Sequence, residues 1–296
     1  MTSAAAHFDV SGRTVLITGA ARGIGAGAAE RLHAKGANVA LVGLEPERLE
    51  ENAVRLGDRA AWFEADVTDF DALRRVVADA ARRFGGIDVA IANAGIAFSG
   101  SLATSPVEHV ERTLSVNLLG VWRTNRAVVE QIVARRGYLL NVASLAAVVH
   151  GALIGPYAAA KAGVEALSDS LRVELAPSGA RVGCAYFGFI DTDLVRASFD
   201  EPAADTMRGQ LPAFLSNPIP LARAVDAIER GVERRAARVW APRWVGVVLA
   251  LRPLIQPLAE RAALRDPARL ARALELADAG AGEQDPLLGV AAKALR

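Results

Sequence analysis

The stretch Thr18-Gly19-Ala20-Ala21-Arg22-Gly23-Ile24-Gly25 lies between a short apolar segment and a run of helix-forming residues. The preceding residues, 13–17, are apolar and β-branched, which is typical of a buried strand. The following residues, 26–35, are mostly small and end at Gly36, a suitable helix C-cap. Glycines let backbone N–H groups approach a phosphate, and a helix N-terminus favours negative charge. The pattern therefore predicts a strand–turn–helix unit that binds a pyrophosphate, although a plain βα turn has the same form.

The composition indicates a folded protein. The chain has 296 residues, of which 52% are hydrophobic, enough for one large α/β domain or two smaller ones. The 34 basic and 33 acidic residues nearly cancel, which argues against a nucleic-acid partner. A single cysteine, Cys184, excludes an internal disulfide and a cysteine-based metal site, so we expect no metal. Neither a signal-peptide pattern nor an apolar run of about 18 residues is present, so we expect a cytoplasmic protein.

Strand-like and helix-like segments alternate through residue 187. The strand-like segments are residues 13–17, 37–42, 60–65, 87–92, 138–143 and 180–186, and the helix-like segments are residues 26–35, 45–56, 69–84, two helices between 106 and 135, and 155–176. Such alternation predicts an α/β fold with a doubly wound parallel sheet of the Rossmann type. Ligands of such sheets bind beyond the carboxyl ends of the strands. Polar or glycine-rich positions follow the strands there, at the glycine turn, Asp66, residues 93–95, Ser144 and the residues after Tyr186.

Tyr157 and Lys161 are four residues apart in the last long helical segment. This spacing puts the two side chains on one face of a helix, about one turn apart. A nearby ammonium favours the phenolate, so we expect Lys161 to lower the pKa of Tyr157 and to make the phenol a usable acid or base. A half-buried Tyr beside a solvent-reaching Lys is the alternative interpretation of the same pattern.

Two further polar residues lie where apolar ones are expected. Ser144 ends the fifth strand-like segment, and Asn117 interrupts an apolar helical stretch. A buried amide must find hydrogen-bond partners. Each residue also has an ordinary structural explanation, a turn for Ser144 and a helix cap or kink for Asn117.

The ordered set of motifs resembles the short-chain dehydrogenase/reductase family. The matching motifs are Thr18-Gly19-x-x-x-Gly23-Ile24-Gly25, Asp66-Val67, Asn93-Ala94-Gly95, Asn117, Ser144, Tyr157-x-x-x-Lys161 and Gly188-x-x-x-Thr192. The resemblance covers residues 10 to 195 closely and about the next 45 residues loosely. It implies an NAD(P)-dependent oxidoreductase that interconverts a secondary alcohol and a ketone.

The resemblance also implies roles for individual residues. The catalytic set would be Asn117, Ser144, Tyr157 and Lys161, with Tyr157 as the acid/base, Ser144 on the substrate oxygen, Lys161 on the nicotinamide ribose and Asn117 holding a relay water. The cofactor-binding set would be Gly19, Ala21, Arg22, Gly23, Ile24, Gly25, Leu44, Glu45, Asp66, Val67, Asn93, Ala94, Gly95, Tyr157, Lys161, Gly188, Ile190 and Thr192. In this set the glycine turn takes the pyrophosphate, Asp66 and Val67 the adenine, and Thr192 and Ile190 the carboxamide.

The second strand-like segment ends without a clear signature for either cofactor. Family members that use NAD commonly carry an acid there, and those that use NADP often an Arg one residue later, whereas this chain has Gly43-Leu44-Glu45. Arg22 would pair with a 2′-phosphate, whereas Glu45 would accept from a 2′-hydroxyl and repel a phosphate. Both cofactors stay open, with NAD favoured.

Phe187 stands where members often have Pro. Because Pro restricts φ, the loop that follows is expected to be less preorganised. Phe187 and Phe189 either add aromatic surface beside the substrate or pack beneath the loop.

We expect one catalytic domain at residues 8–242, with a helical substrate lid at residues 189–220, followed by a helical C-terminal extension at residues 243–296 with a mobile end. Met207, Leu211, Phe214 and Leu215 would give the lid an apolar face, and Phe98, Leu145, Val148, Leu153 and Ile154 lie nearby in this scheme. We therefore expect a small lipophilic substrate. His150 is interpreted as a surface residue rather than a further catalytic group.

The C-terminal portion that begins at Arg238 carries an apolar set formed by Trp240, Trp244, Val247, Val248 and Leu251. Packing or a lid, an oligomer contact and a membrane-surface contact are the three interpretations. A homodimer or homotetramer is expected from the resemblance. Two alternative functions remain, a non-catalytic cofactor-binding sensor or scaffold, and a membrane-surface-associated enzyme that uses the extension.

Overall fold

The computed structural model describes residues 7–97, 99–208 and 216–280. Within them lies a seven-stranded parallel sheet whose strands follow the order β3-β2-β1-β4-β5-β6-β7. The strands are β1 (Thr14–Thr18), β2 (Asn38–Gly43), β3 (Ala60–Glu64), β4 (Val89–Ala92), β5 (Tyr138–Val142), β6 (Arg181–Phe187) and β7 (Arg238–Ala241). The strand order reverses between β1 and β4, so a crevice opens there beyond the carboxyl ends. The predicted doubly wound parallel sheet is confirmed.

Helices connect successive strands and cover both faces of the sheet. They are α1 (Gly23–Ala34), α2 (Pro46–Leu56), α3 (Phe70–Phe84), α4 (Val107–Leu114), α5 (Gly120–Ala134), α6 (Gly155–Leu175), α7 (Asp193–Phe199), α8 (Pro202–Arg208), α9 (Leu221–Arg234), α10 (Arg243–Ala250), α11 (Arg252–Ala263) and α12 (Pro267–Gly280). A π-helical turn, Ser115–Leu119, joins α4 to α5. A wider turn of this kind often occurs at functional sites, and this one contains Asn117.

Alternate strand residues point into two apolar layers. Val15 and Ile17 of β1 pack with α1 and α9, whereas Leu16 packs with α3 and α5 on the other face. All three are almost completely buried, as expected for strands covered on both faces. The sheet is therefore a rigid platform for the loops at its carboxyl edge.

The predicted lid segment, residues 189–220, begins just beyond the carboxyl end of β6. Ile190 and Ile219 form an isolated parallel bridge, in which Asp191 N–H donates to Ile219 O at 2.9 Å. Between them lie α7 and α8, and Phe189 packs edge-to-face on Phe199 with ring centroids 5.0 Å apart. The predicted apolar lid residues Leu211, Phe214 and Leu215 lie outside the described residues, as does Phe98, and the side chain of Met207 is not described.

The apolar set predicted in the C-terminal portion from Arg238 divides between core and surface. Trp244 and Val248 pack against the buried Val245 and Leu249 and, with them, in a cluster that includes Cys184 and Tyr186 of β6. Trp240, Val247 and Leu251 are exposed, as are Leu254 and Leu258 on α11. Oligomer and membrane contacts therefore stay predictions for this exposed part. None of the described helices is long and apolar enough to span a membrane. The end of the extension, residues 281–296, lies outside the described residues.

Candidate active site

The glycine turn between β1 and α1 has a backbone that requires glycine. Gly19 and Gly23 adopt φ of +67° and +57°, where residues with a Cβ are strained. Gly25 is required for a different reason, because an added Cβ would lie 2.2 Å from the carbonyl oxygen of Gly19. The turn therefore closes tightly and leads into the N-terminus of α1, as an anion site requires.

A hydrogen-bond set fastens the glycine turn to the end of β4. Asn93 Nδ2 donates to the carbonyl oxygens of Thr18 and Gly19 at 3.0 and 3.2 Å. Thr18 Oγ1 in turn accepts from the backbone N–H groups of Asn93 and Ala94 at 3.0 and 3.2 Å. These four hydrogen bonds fix the two sides of the crevice relative to each other, and Asn93 takes part in three of them.

Asp66 lies on the far wall of the crevice, after β3. Its Oδ1 accepts from Thr68 N–H at 2.8 Å and its Oδ2 from Arg112 Nη2 at 3.1 Å. Burial acts to raise the pKa of Asp66, but the bonds from Thr68 and Arg112 outweigh it, so the pKa is lowered. The carboxylate is therefore held ionised, with lone pairs left to accept from a ligand.

Glu45 is a buried carboxylate at the start of α2, and Arg22 pairs with it. Arg22 Nε lies 3.2 Å from Glu45 Oε1 and Arg22 Nη1 lies 3.6 Å from Asp193 Oδ2, while Arg48 Nε reaches Glu45 Oε2 at 3.5 Å. Burial raises the pKa of Glu45, and Arg22 and Arg48 oppose that shift. Arg22 therefore does not extend freely into solvent but links the glycine turn to the first residue of α7.

These groups line one open cleft. Its walls include the predicted residues Gly19, Ala21, Arg22, Gly23, Ile24, Leu44, Glu45, Asp66, Val67, Asn93, Ala94, Gly95 and Thr192. The cleft is also lined by residues that were not predicted as site residues, namely Gly43, Ala65, Ile96, Arg112, Val116, Asp193 and Leu194. Arg112 is the most consequential of these. Its position on an amphipathic helix, far along the chain from Asp66, carried no signal in the sequence.

Asn117 braces the loop after β4. Its Oδ1 accepts from Ile96 N–H and its Nδ2 donates to Ile96 O, each at 2.8 Å, and the side chain is fully buried. An added Cβ at Gly95 would lie 2.9 Å from Asn117 Oδ1 and 3.7 Å from Lys161 Nζ. The amide of Asn117 is therefore committed to the loop backbone beside Lys161. Its predicted water relay stays a prediction.

Tyr157 lies on the first turns of α6, beside Ser144. Its phenol shares a hydrogen bond with the Ser144 hydroxyl, which also accepts from Ala146 N–H at 3.1 Å. Burial raises the pKa of Tyr157, and the bond with Ser144 opposes that shift. The prediction that Lys161 lowers the pKa of Tyr157 is therefore wrong, because burial dominates and the phenol is protonated at neutral pH.

Lys161 is buried behind Tyr157. Its Nζ donates to Val142 O at 2.9 Å and lies 5.6 Å from the centroid of the Tyr157 ring. Burial lowers the pKa of Lys161 to about 8. An ammonium held by a strand-end carbonyl is thus placed beside the phenol, on the side of Gly95.

Replacing Lys161 with Met should change how stability depends on pH. The folded pKa of about 8 is below the ordinary value of 10.5, so between these values the unfolded state binds more protons. The wild type therefore becomes more stable as the pH rises through this window, whereas Lys161→Met has no such gain. We expect urea unfolding to show the free-energy difference, wild type minus variant, rising by about 3 kcal/mol from pH 7 to pH 10.5.

Lys35→Met is the matched control, since Lys35 is half-exposed and Glu229 and Glu233 raise its pKa. It should not show this gain. A difference between wild type and Lys161→Met that stays constant over the whole pH range would contradict the burial of the ammonium.

The loop after β6 completes the crevice. Thr192 caps α7, accepting from Val195 N–H at 3.4 Å, and its methyl lies 3.5 Å from the position of an added Cβ at Gly23. Gly188 N–H donates to Ala241 O at 3.0 Å. Ile190 and Phe187 are buried in the core, so Phe187 packs beneath the loop and does not face a substrate.

Two further predictions concern His150, expected at the surface, and metal ligands, of which none were expected. His150 is exposed at the surface, with its backbone bonded to Gln256, and takes no part in the site. Within the described residues, no cluster of three or more His, Cys, Asp or Glu side chains is arranged to hold a metal ion.

The family model described as short chain dehydrogenase matches residues 13–203. The 3-oxoacyl-(acyl-carrier-protein) reductase FabG of Vibrio cholerae is 33% identical over 220 residues, covering 74% of this chain and 90% of that protein. The 3beta-hydroxysteroid dehydrogenase 1 of Eggerthella lenta is 32% identical over 204 residues, covering 67% and 78%. The solved structure of a short chain dehydrogenase/reductase from Burkholderia phymatum in complex with NAD has a TM-score of 0.73 at 21% identity, covering 83% of this chain and 94% of that chain. The chain is therefore an oxidoreductase that belongs to the short chain dehydrogenase family.

Proposed function

We propose that the protein uses NAD to interconvert a secondary alcohol and a ketone on a small lipophilic substrate, with Tyr157 as the general acid/base. The observation that carries the proposal is that Tyr157 shares a hydrogen bond with Ser144 and lies beside Lys161, whose Nζ is 5.6 Å from the centroid of the phenol ring. A protein that only senses or stores the cofactor has no need of this buried arrangement. It therefore favours turnover over the sensor or scaffold alternative.

The cleft fits a nicotinamide dinucleotide. Gly19 and Gly25 leave the glycine turn without side-chain bulk, and a Cβ at either would fall within 3 Å of the backbone. The N-terminus of α1 would hold the pyrophosphate, Asp66 the adenine and Lys161 the nicotinamide ribose. A bound nicotinamide supplies the hydride for carbonyl reduction or receives it from the alcohol.

The protein side chains handle the proton. In ketone reduction the Tyr157 phenol donates its proton to the carbonyl oxygen, and in alcohol oxidation the phenolate takes the hydroxyl proton. Ser144 stabilises the developing charge on the same oxygen through its hydroxyl. The Lys161 ammonium stabilises the phenolate left after proton donation. A phenol with a raised pKa is already protonated, so the resting site is ready for the reductive direction.

The buried Glu45 supports NAD rather than NADP. Its carboxylate lines the cleft after β2 and would accept from a ribose 2′-hydroxyl, whereas a 2′-phosphate would meet its negative charge. Arg22, the cation that would pair with a 2′-phosphate, is already paired with Glu45 and Asp193. The local balance of charge thus disfavours an additional dianion.

Replacing Glu45 with Gln should weaken the preference for NADH over NADPH. The variant keeps the side-chain shape but removes the negative charge of Glu45, so that Arg22 loses one of the two carboxylates paired with it and binds a phosphate more strongly. We expect the ratio of NADPH to NADH affinity, measured by fluorescence titration, to rise by about tenfold. Glu47→Gln, an exposed position on the same helix, is the control and should leave the ratio unchanged. If Glu45→Gln has the same ratio of NADPH to NADH affinity as the wild type, Glu45 does not determine which cofactor is preferred.

A lipophilic substrate is supported by the loop that leads from Ser144 to α6. Leu145, Val148, Val149 and Leu153 belong to this loop, which contains no arginine suited to a carboxylate substrate. One relative acts on a 3beta-hydroxysteroid, as its name states, which agrees with this class. The direct test is NADH formation from NAD and a panel of lipophilic secondary alcohols, with charged hydroxy acids as the comparison. Activity confined to the hydroxy acids would contradict the proposal.

A further inference from the structure

The C-terminal helix α12 packs along the lid helix α8. The contact is made by Ala203 of α8 and by Ala273 and Ala277 of α12, each almost completely buried. Because alanines carry little bulk, the two helices approach closely. Residues 267–280 lie beyond residues 13–203, the part of the chain that the family model matches.

Leu153 connects this helix pair to the catalytic helix. Its side chain is buried in the same cluster, and it precedes Tyr157 by four residues. Its φ is +67°, a conformation that is strained for a branched side chain and persists only where the surroundings enforce it. The enforcing contacts are the α8–α12 pair and a 2.7 Å bond from Gly100 N–H to Leu153 O.

A second connection joins α12 to the loop after β4. Thr104 Oγ1 donates to Asp278 Oδ1 near the end of α12. Leu102, in the same loop, lies against Gly155 at the start of the catalytic helix, where an added Cβ would meet its side chain at 2.4 Å. Helix α12 is therefore attached to the lid, to the segment before Tyr157 and to the loop after β4.

We propose that α12 and α8 form the distal wall of the substrate site and set the length of substrate that reaches Tyr157; this rests on the proposed function. The cofactor cleft occupies the glycine-turn side of the crevice, so substrate must approach Tyr157 from the side of the loops after β4 and β5. Helix α12 closes that side through an apolar cluster that includes Leu153, Ala273 and Leu274, and through the hydrogen bond between Thr104 and Asp278. The substrates are thus compact lipophilic alcohols or ketones, cyclic or short-chain, rather than long extended chains.

The test compares kcat/KM for a series of 2-alkanols, from butan-2-ol to decan-2-ol, with NAD as the oxidant. Ala273→Leu overfills the α8–α12 contact, and Asp278→Ala releases α12 from Thr104. We expect each to raise the ratio of kcat/KM for decan-2-ol to that for butan-2-ol by about tenfold. NADH affinity should stay within about twofold of the wild type, because the wall lies outside the cofactor cleft.

Glu275→Ala is the matched control, since Glu275 is exposed on α12 and pairs only with Arg272 among the described contacts. If Ala273→Leu does not fold, the test rests on Asp278→Ala and on the near-isosteric Thr104→Val. Both variants change an exposed hydrogen bond, so we expect them to fold. If the folded variants show the same dependence of kcat/KM on chain length as the wild type, the proposal that α8 and α12 form the distal wall is wrong, while the proposed function still stands. A wild type that binds NADH but oxidises no alcohol in the series, and reduces none of the corresponding ketones, would overturn both.

Discussion

Replacing Tyr157 with Phe should lower kcat by about 10²- to 10⁴-fold, the range of general acid–base catalysis. The change deletes one oxygen and leaves the ring, so packing and helix α6 are preserved. The deleted hydroxyl is the group that bonds Ser144 and, in the proposed mechanism, exchanges the proton with substrate. NADH affinity should change by less than about threefold, because the phenol oxygen is not among the groups proposed to carry the pyrophosphate or adenine.

The control for this variant is Tyr138→Phe, a buried tyrosine on β5 whose hydroxyl donates to Ala236 O at 2.7 Å, at the opposite edge of the sheet. That variant should lose some stability but keep kcat. Full activity of Tyr157→Phe on a verified substrate would exclude Tyr157 as the acid/base. Loss of NADH binding together with activity would instead indicate a structural role.

Replacing Gly25 with Ala should remove cofactor binding and reduce stability. The added Cβ would lie 2.2 Å from the carbonyl oxygen of Gly19 and 2.8 Å from Asn93 Nδ2. The first contact is with backbone, so relief requires the glycine turn itself to open. We expect the free energy of unfolding to fall by about 3 kcal/mol or more and the NADH Kd to rise at least about a hundredfold.

Gly43→Ala provides the matched control, because Gly43 lines the same cleft. An added Cβ there would lie 3.5 Å from Leu49, an ordinary van der Waals distance. This variant should unfold near the wild-type midpoint and bind NADH with similar affinity. Equal effects of the two substitutions, or wild-type NADH binding by Gly25→Ala, would show that the tight turn is not what the cofactor requires.

The sequence was sufficient for the fold because its signals are local. The β-branched strands, the helical periods and the glycine turn each lie within a dozen or so residues, and their boundaries agree with the structure to within a few residues. Strand β7 is short and half-exposed, so it lacked the apolar run that marked the others. The π-helical turn around Asn117 was missed because its sequence is compatible with a continuous helix.

Long-range pairing accounts for what the sequence did not reveal in the site. Glu45 and Arg22 were recognised as opposing charges, but whether they met each other or solvent depends on where β2 ends relative to the glycine turn. Arg112 reaches the cleft from a distant segment, and nothing near it in the chain marks it, whereas Asp193 directly follows the predicted residue Thr192. The pKa of Tyr157 was misjudged because spacing along a helix identifies a neighbour but not the extent of burial.

The most direct test of the account is to follow one hydrogen atom. A lipophilic secondary alcohol that the wild type oxidises is prepared with deuterium at the carbinol carbon and incubated with NAD, and the reduced cofactor is examined by mass spectrometry. We predict one deuterium per molecule of NADH formed by the wild type, and no labelled NADH above background from Tyr157→Phe. NADH without deuterium, or oxidation of the alcohol without formation of NADH, would contradict the proposal that this cleft transfers hydride between substrate and nicotinamide.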